Sequence, residues 1–368
     1  MIWTIENTRR LIIDLAHRLQ GQAYSGNQKD YRPGQNLKDD LQLESIQVMD
    51  LSAQVNAFFH LMETSPDNYL LASYSVDEWA QKCVNGRAQK SESITFLTSG
   101  TTGVAQPITH HQSFIDREVA FLKAYFSGTT TIVPLVPSAS IYGYLYTIAL
   151  PKALNIPVVF PSAVHWNNLP PHTLIVGTPF TWSHLLRAMP GHPIRARGVC
   201  STAPLAPPVF QDLLNRGVDM TEVYGATETA GVGLRKNAAD PFELFPYWSL
   251  QGASTLLDRE SGQAYPLMDR VRPTGDNAFV VMNRRDQKLK IAGRLVDLAS
   301  LESRIQAIKG VQHCQLSAKK QVDRTIITAA VTLQADSPDA RQSFLSAVKI
   351  YLEPAERPAE VHFVENSP

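Results

Sequence analysis

The chain has 368 residues, of which 44% are hydrophobic, and its 34 basic residues balance 34 acidic ones. This length suffices for two or three domains of roughly 100 to 200 residues each. Because the formal net charge is zero, no global field favours nucleic acid or an anionic membrane surface. We therefore expect neither of these as a partner, and a ligand that is recognised by local contacts.

A small helical bundle is predicted at the N-terminus. Apolar side chains recur at helical spacing over residues 7–20 and again over residues 46–62. A short helix is predicted to follow in SYSVDEWAQKCV, starting at Ser75 or Val76. We assign residues 1–86 to this bundle.

From residue 94 onwards, short β-rich runs alternate with helices, which is typical of a mainly parallel sheet covered on both faces. The predicted order is ITFL, a helix at 113–126, TTIVPLV, a helix at 143–154, IPVVF and TLIVG. After residue 245 the pattern becomes hairpin-like. The expected fold class is therefore α/β, with its core over residues 94–284.

The last part of the chain is predicted to be a small α+β domain over residues 286–368. It would contain a helix at 297–308, strands HCQLSA and TIITAAVTL, a helix at 338–352 and a final strand VHFVE.

The sequence predicts a cytoplasmic protein without a signal peptide. The N-terminal charges lie within a helical pattern, and no small-residue cleavage site follows an apolar stretch. The most apolar region, residues 131–160, is interrupted by four prolines, which disfavours a membrane-spanning helix. The cysteines Cys83, Cys200 and Cys314 are widely spaced, as suits a reducing compartment.

A loop of hydroxyl residues and glycines follows the first predicted strand of the α/β region. Its glycines let backbone N–H groups approach an anion, and its hydroxyl groups add further donors. The loop TSGTTG comprises Thr98, Ser99, Gly100, Thr101, Thr102 and Gly103. This composition suits phosphate, although loops of serine, threonine and glycine are also common connectors.

Two further motifs follow in order. EVYGATETAGVG presents Tyr224, Thr227 and Glu228 after a β-rich stretch. An aromatic face, a hydroxyl and a carboxylate suit a nucleotide with its Mg²⁺. The next motif, NRRDQKLKIAG, precedes an amphipathic helix and carries Arg284, Asp286, Lys290 and Gly293. The ordered set is a stronger indication than any single member.

The ordered motifs resemble those of the superfamily of adenylate-forming enzymes, and specifically of its short acyl- or aryl-AMP ligases. They are TSGTTG, then YGATE, then R-x-D-x-x-x-K-x-x-G. The resemblance covers residues 94–366. It implies that the protein joins a small carboxylic acid to the α-phosphate of ATP with Mg²⁺ and releases pyrophosphate. The acyl group would then pass to the thiol of coenzyme A or of a carrier protein's phosphopantetheine, in a polyketide, fatty-acid-like or pigment pathway.

The resemblance also implies residue roles. Thr98–Gly103 would surround the ATP phosphates, and Tyr224 would lie against adenine. Thr227 would contact phosphate, and Glu228 would hold Mg²⁺. Thr227, Glu228 and Arg284 are the predicted catalytic residues, and Asp286 is the predicted hinge about which the small domain rotates.

Two aspartates compete for the role of binding the ribose hydroxyls of ATP. The family places this residue in a T-G-D motif, which Asp276 matches literally in Thr274-Gly275-Asp276. However, T-G-D-N would form a turn before the strand FVVM. The resemblance therefore favours Asp269, on the preceding strand, although its two preceding residues are Leu267 and Met268.

The predicted acyl pocket includes Ser140, which stands where many relatives have a histidine, together with Tyr142 and Gly143. Cys200 is a further candidate. These four residues are equally compatible with a plain core.

The N-terminal bundle resembles an acyl carrier domain. Ser45 opens the second helix after the acidic stretch LKDDLQLE, and the resemblance implies 4′-phosphopantetheine on its hydroxyl. The alternative is an ordinary serine near a helix start.

Two lysines of the family have no counterpart. Ala105 and Gln106 stand where the phosphate loop usually ends in proline and lysine, and the catalytic lysine would lie beyond Pro368, where the chain stops. That lysine supplies electrostatic stabilisation to the reacting groups. Three interpretations stay open. The first is a ligase that loads a carrier, with its own Ser45 as one candidate, and that a partner subunit completes. The second is a catalytically impaired scaffold or carrier that binds nucleotide or acyl group, and the third, which the ordered motifs disfavour, is an unrelated α/β nucleotide-binding enzyme.

Overall fold

The computed structural model describes residues 2–64, 69–90, 92–98, 106–284, 289–291, 294–320 and 325–364. The chain forms two compact units. The first consists of Met1–Thr98 with Pro107–Trp248, and the second includes Ser249–Pro368.

The first unit begins with three helices, α1 Ile5–Leu19, α2 Ser45–Phe59 and α3 Val76–Gln89. Thr4 caps α1 through a capping box with Asn7, and the Ser75 hydroxyl accepts from the Glu78 N–H at the start of α3. Short 3₁₀ turns lie at Gln28–Tyr31, Leu61–Glu63 and Tyr69–Ala72. The predicted helices are confirmed to within a few residues.

The central sheet of this unit contains the predicted parallel part, although ITFL, which the sequence predicts to belong to it, pairs antiparallel in a separate hairpin. Its strands are β3 Thr131–Pro134, β4 Thr173–Gly177, β5 Arg197–Cys200, β6 Asp219–Ala226, β7 Ala230–Arg235 and β8 Phe242–Leu244. Strands β3 to β6 pair in parallel, and β7 and β8 continue the sheet antiparallel. IPVVF, predicted as a strand, forms only an isolated bridge between Val158 and Ile132.

A separate antiparallel pair, β1 Ser93–Leu97 and β2 Pro107–His111, flanks the predicted phosphate loop. The remaining helices are α4 Gln112–Tyr125, α5 Ile141–Tyr144, α6 Leu150–Leu154, α7 Pro179–Ala188 and α8 Pro207–Asn215. A π-helical turn, Leu145–Ala149, joins α5 to α6, and 3₁₀ turns lie at Pro161–Ala163 and Trp166–Asn168.

The N-terminal helices share a core with the α/β region. Trp3 stacks on Tyr144 at 5.5 Å between ring centroids, and Phe58 meets Phe96 edge-on at 5.2 Å. In addition, the buried Arg10 guanidinium donates to the Thr147 carbonyl within the π-helical turn. Helices α1 to α3 are therefore built into the first unit.

This division differs from the predicted one. The sequence predicts separate domains at 1–86, 94–284 and 286–368, whereas the structure unites the helices with Pro107–Trp248 and begins the second unit at Ser249. The physical reason is that the helices pack on one another and, in addition, bury apolar side chains such as Trp3 and Phe58 against the α/β region, so the two share one core.

The second unit is built from hairpins followed by an α+β segment. Its strands are β9 Trp248–Gln251, β10 Thr255–Asp258, β11 Ala264–Pro266, β12 Asp269–Gly275, β13 Ala278–Arg284, β14 Leu289–Ile291, β15 Arg294–Val296, β16 Val311–Lys320, β17 Thr325–Leu333 and β18 Glu360–Phe363. Its helices are α9 Leu298–Gln306 and α10 Pro338–Tyr351. Strands β16 to β18 form a three-stranded sheet over an apolar core shared with both helices.

No helix in the described part of the chain is both long and apolar enough to cross a membrane.

Candidate active site

Thr227 and Glu228 lie in the short connection between β6 and β7. Both residues are partly exposed, as is Tyr224 near the end of β6. The carboxyl edge of parallel strands is where open α/β sheets bind their ligands. The structure thus places the three residues of the YGATE motif on one strand end and the loop that follows it.

The backbone of this connection is tightly constrained. Ala230 has a positive φ of 52°, which is uncommon for a residue other than glycine. The register of the β6–β7 ladder shifts between Tyr224 and Gly225. A Cβ atom on Gly225 would lie 2.2 Å from the Ala230 carbonyl oxygen, so only glycine fits there.

His110, on β2, holds the start of this connection. Its Nε2 lies 2.6 Å from the Thr227 carbonyl oxygen, and its ring stacks on Phe114 at 4.9 Å. Burial lowers the pKa of His110, although the Thr227 carbonyl and the charge of Glu228 oppose the shift. Since a carbonyl oxygen only accepts, Nε2 carries the hydrogen in this contact.

Glu118, on α4, holds the end of the connection. Its two carboxylate oxygens lie 3.1 and 2.9 Å from the Gly231 nitrogen. Burial raises the pKa of Glu118 to about 7, although the Gly231 N–H, the Tyr247 hydroxyl and the Arg117 charge oppose the shift. The Trp248 indole donates to the Gly231 carbonyl at 2.8 Å, so both polar groups of the Gly231 backbone are satisfied.

The predicted phosphate loop connects β1 to β2. Thr98 directly follows β1, and Leu97 pairs with Pro107 across the two strands. Ser99, Gly100, Thr101, Thr102 and Gly103 lie outside the described residues. The bond from His110 to Thr227 nevertheless joins the strand after the loop to the Thr227–Glu228 connection.

The donor set fits Mg²⁺ bound together with a nucleotide. Glu228 supplies a carboxylate and Thr227 a hydroxyl, and Mg²⁺ is usually held by one or two carboxylates plus substrate phosphates. Among the described residues, no group of three or more His, Cys, Asp or Glu side chains could hold a metal ion by itself. The role of Glu228 as a ligand of Mg²⁺, with the phosphates completing the shell, stays a prediction.

The predicted acyl-pocket residues have structural partners. The Ser140 hydroxyl accepts from the Gly143 N–H and caps α5. The buried Tyr142 hydroxyl donates to the carbonyl of Gly177, at the end of β4, and to that of Val199, in β5. Cys200 follows Val199 and is the last residue of β5. These contacts give each residue a role in packing, and contact with an acyl group stays a prediction.

A buried carboxylate holds the loop before Ser140. Asp14, on α1, accepts from the Ser138 N–H at 2.6 Å, from the Ser138 hydroxyl at 2.5 Å and from the Tyr31 hydroxyl at 2.7 Å. Burial raises the pKa of Asp14, although these three donors and the charge of Arg10 oppose the shift. The loop that follows β3 is thus fixed by the N-terminal helix.

In the second unit, Asp269 and Arg284 lie opposite each other in the register of β12 and β13. Asp276 lies in the turn of this hairpin, after Gly275. The turn predicted for T-G-D-N is confirmed, and the ribose role of Asp269 stays a prediction. The predicted hinge residue Asp286, like Gly293, lies outside the described residues.

Ser45 is the exposed first residue of α2, as predicted, and Glu44 precedes it as the N-cap. The helix itself packs into the first unit through Val48, Leu51, Val55 and Phe58, which are buried. Phosphopantetheine on Ser45 stays a prediction that this packing disfavours.

Sequence reasoning missed His110, Glu118 and Asp14. A signal existed for the two carboxylates, because each stands among apolar residues of a helix: Asp14 lies between Ile13 and Leu15, and Glu118 lies on the same face as Ile115 and Val119. The backbone groups that these side chains contact, in Ser138, Gly231 and Thr227, are more than one hundred residues away. No local pattern indicates them.

The chain is 32% identical over 295 residues to the 4-coumarate–CoA ligase of Rhodobacter capsulatus, and the alignment covers 76% of each protein. It is 27% identical over 334 residues to the 4-coumarate–CoA ligase of Halorhodospira halophila, covering 88% of this chain and 85% of the other. A malonyl-CoA ligase with methylmalonyl-CoA and AMP bound shares the fold, with a TM-score of 0.60 at 16% identity over 74% of this chain and 71% of that one. No family model matches the chain.

These similarities, with the ordered motifs and the sheet that carries them, place the chain in the superfamily of adenylate-forming enzymes. Within that superfamily the chain is an acid–thiol ligase, which uses ATP to activate a carboxylic acid. The alignment with the Halorhodospira halophila protein is too long to leave all of residues 1–86 outside it. At least part of the N-terminal helices therefore has a counterpart in a ligase.

Proposed function

We propose that the chain activates an aryl carboxylic acid as its acyl-AMP and transfers the acyl group to the phosphopantetheine thiol of coenzyme A or of a carrier protein in a biosynthetic pathway. The observation that carries this proposal is the segment from Thr227 to Gly231, which comprises the connection between β6 and β7 and the first two residues of β7. It presents a hydroxyl and a carboxylate at the carboxyl edge of the sheet, and His110 bonds it to the strand that follows the hydroxyl- and glycine-rich loop.

In the first half-reaction, a carboxylate oxygen of the acid attacks the α-phosphorus of ATP, and the bond to pyrophosphate breaks. We assign Thr227 to phosphate contact, Glu228 to Mg²⁺, and Tyr224 to adenine. Mg²⁺, when bound, neutralises charge on the phosphates. The constrained backbone around Ala230 keeps the side chains of Thr227 and Glu228 in place before the substrate arrives. Such preorganisation is a major source of rate enhancement.

In the second half-reaction, the thiol sulfur attacks the acyl carbon, its proton is lost to solvent and AMP leaves. The relatives named 4-coumarate–CoA ligase support an aryl acid and coenzyme A for this chain. Arg284 and Asp269, opposite each other on β13 and β12, are proposed to act on the phosphate and on the ribose of ATP, respectively.

Pyrophosphate release tests the proposal directly. The protein is incubated with ATP, Mg²⁺ and a panel of aryl and alkyl acids that includes 4-coumarate, with coenzyme A or a phosphopantetheinylated carrier as acceptor. We expect aryl acids to give the largest release and coenzyme A to accept the acyl group. Absence of pyrophosphate release with every acid of the panel would favour a nucleotide- or acyl-binding scaffold instead.

A pair of matched variants tests the proposed role of Glu228 at the Mg²⁺ site. Glu228→Gln removes the proposed carboxylate, whereas Glu243→Gln changes an exposed glutamate on β8 of the same unit. Residues that merely support the ligands of a bound metal are commonly worth about 10- to 100-fold in affinity or activity, so a direct ligand should matter at least as much. We expect Glu228→Gln to lose pyrophosphate release by at least about tenfold and Glu243→Gln to leave it unchanged. Equal activity in both variants would contradict the role of Glu228.

A further inference from the structure

Two buried polar side chains contact the backbone on either side of Glu228. His110 is 5% exposed and bonds to the carbonyl of Thr227, and Glu118 is 1% exposed and bonds to the N–H of Gly231. They come from neighbouring elements, since His110 lies on β2 and Glu118 lies on α4, which begins at Gln112.

The connection needs support of this kind. Ala230 is held at a positive φ of 52°, and such conformations persist only where the surrounding structure enforces them. A Cβ atom on Gly231 would lie 2.6 Å from a carboxylate oxygen of Glu118. The absence of a side chain at Gly231 is therefore what lets Glu118 reach the backbone.

Burying these two polar groups is unfavourable unless they are hydrogen-bonded. Apolar side chains of similar volume commonly stabilise such a position equally well or better. What a hydrogen bond adds is direction, because it fixes one backbone atom relative to a rigid strand or helix. Here the fixed atoms belong to Thr227, which precedes Glu228, and to Gly231, which lies three residues after it.

We propose that His110 and Glu118 are positioning residues that hold Thr227 and Glu228 in the geometry needed for the phosphates of ATP and its Mg²⁺. This inference rests on the proposed roles of Thr227 and Glu228. His110 fixes the near side of the connection and Glu118 the far side. Loss of either contact lets the carboxylate of Glu228 shift, and a misplacement of about 1 Å can reduce catalysis by about 100-fold.

Gln and Leu variants distinguish the effect of the hydrogen bond from the effect of the side-chain volume. His110→Gln keeps an N–H that can reach the Thr227 carbonyl, whereas His110→Leu keeps only apolar volume. Likewise, Glu118→Gln keeps an acceptor oxygen for the Gly231 N–H, whereas Glu118→Leu does not. The exposed residues His165 and Glu243 provide matched controls, changed in the same way to Leu.

The main readout is the dissociation constant of ATP with Mg²⁺, measured by calorimetry on the full chain. We expect His110→Leu and Glu118→Leu to weaken binding by roughly tenfold, in line with the effect of residues that support metal ligands. The Gln variants should stay within about twofold or threefold of the unchanged protein. Backbone hydrogen exchange of the segment 225–235 should rise in the Leu variants and not in the Gln variants.

A double variant links the effect to Glu228. In a chain that already carries Glu228→Gln, adding His110→Leu should weaken binding by a smaller factor than it does in the unchanged chain, because only Thr227 of the two positioned residues is then left. If a Leu variant does not fold, its Gln counterpart and the exchange measurement decide. Gln variants that bind as weakly as their Leu counterparts, or an unchanged exchange rate with weakened binding, would overturn the inference.

The outcomes also separate the inference from the proposed function. If Glu228→Gln weakens binding while His110→Leu and Glu118→Leu do not, the positioning role is wrong and the role of Glu228 stands. If Glu228→Gln leaves the affinity for ATP with Mg²⁺ unchanged, the proposed function of Glu228 fails, and the positioning role fails with it.

Discussion

Two of the buried carboxylates of the first unit, Asp14 and Glu118, each bond to a backbone N–H beyond the end of a strand, and they belong to different helices. Asp14 bonds to the backbone N–H of Ser138, in the loop after β3, and Glu118 bonds to the N–H of Gly231, after β6. Both loops follow carboxyl ends of parallel strands, the edge at which α/β sheets bind ligands. In each case a helix outside the sheet fixes a loop of the candidate site.

The two carboxylates differ in where their helices come from. Glu118 belongs to α4, which directly follows the predicted phosphate loop and its strand β2. Asp14 belongs to α1, in the segment whose sequence resembles a carrier domain. The N-terminal helix α1 therefore belongs structurally to the same unit as the sheet, since it supports one of the sheet's loops.

The largest expected effect is on folding, through Asp14. Asp14→Ala leaves the Ser138 N–H, the Ser138 hydroxyl and the Tyr31 hydroxyl without their acceptor in a buried place. Each buried donor left unsatisfied costs about 1 to 3 kcal/mol. We expect the free energy of unfolding, measured with urea, to fall by about 3 kcal/mol or more. Asp39→Ala, at an exposed position, is the control. Equal stability of the two variants would contradict the stabilising role of Asp14.

The next effect is the pH dependence of stability through Glu118. Because its pKa is raised to about 7 in the folded protein, its stabilising contribution is present below the pKa of the unfolded chain and is lost as pH rises through about 7. A tenfold difference in proton affinity between the folded and unfolded chains corresponds to about 1.4 kcal/mol. Glu118→Gln should therefore gain stability relative to the unchanged protein between pH 5 and 8, by up to a few kcal/mol.

Urea denaturation at several pH values gives this difference directly, and subtracting the free energies of the two proteins cancels the other titrating groups. A difference that stays constant from pH 5 to 8 would show that Glu118 does not titrate there. Glu243→Gln, at an exposed site, should show no such trend.

A smaller effect, on ATP binding, is expected at a partly exposed carboxylate. Asp269, opposite Arg284 in the second unit, is partly exposed. Asp269→Ala should weaken ATP binding by roughly tenfold, since hydrogen bonds to charged groups contribute about 1.5 to 3 kcal/mol, with little change in Tm. Asp276→Ala, in the hairpin turn, is the control. Weakened binding in Asp276→Ala alone would reverse the ribose assignment.

The smallest expected effect concerns Ser45. Because α2 is packed into the first unit, we expect no change in intact mass after treatment with a phosphopantetheinyl transferase and coenzyme A. A known carrier protein treated in parallel shows that the reagents are active. A mass increase that disappears in Ser45→Ala would restore the carrier interpretation.

The sequence alone determined several parts of this protein. Helical spacing and the capping residue Ser75 located α1 to α3, and alternating strands and helices predicted the parallel sheet. T-G-D-N predicted the hairpin turn at Asp276, and the ordered motifs indicated the superfamily. These features are readable because they depend on neighbouring residues and on backbone preferences.

Two features depend on tertiary packing: the N-terminal helices share a core with the α/β region, and His110 and Glu118 contact the backbone on either side of Glu228. Asp14 and Ser138 are 124 residues apart, and Glu118 and Gly231 are 113 apart. A charged residue within an apolar stripe signals that some buried partner exists. Which partner it is depends on how distant segments pack, and hydrogen bonds of that kind have no local pattern in the chain.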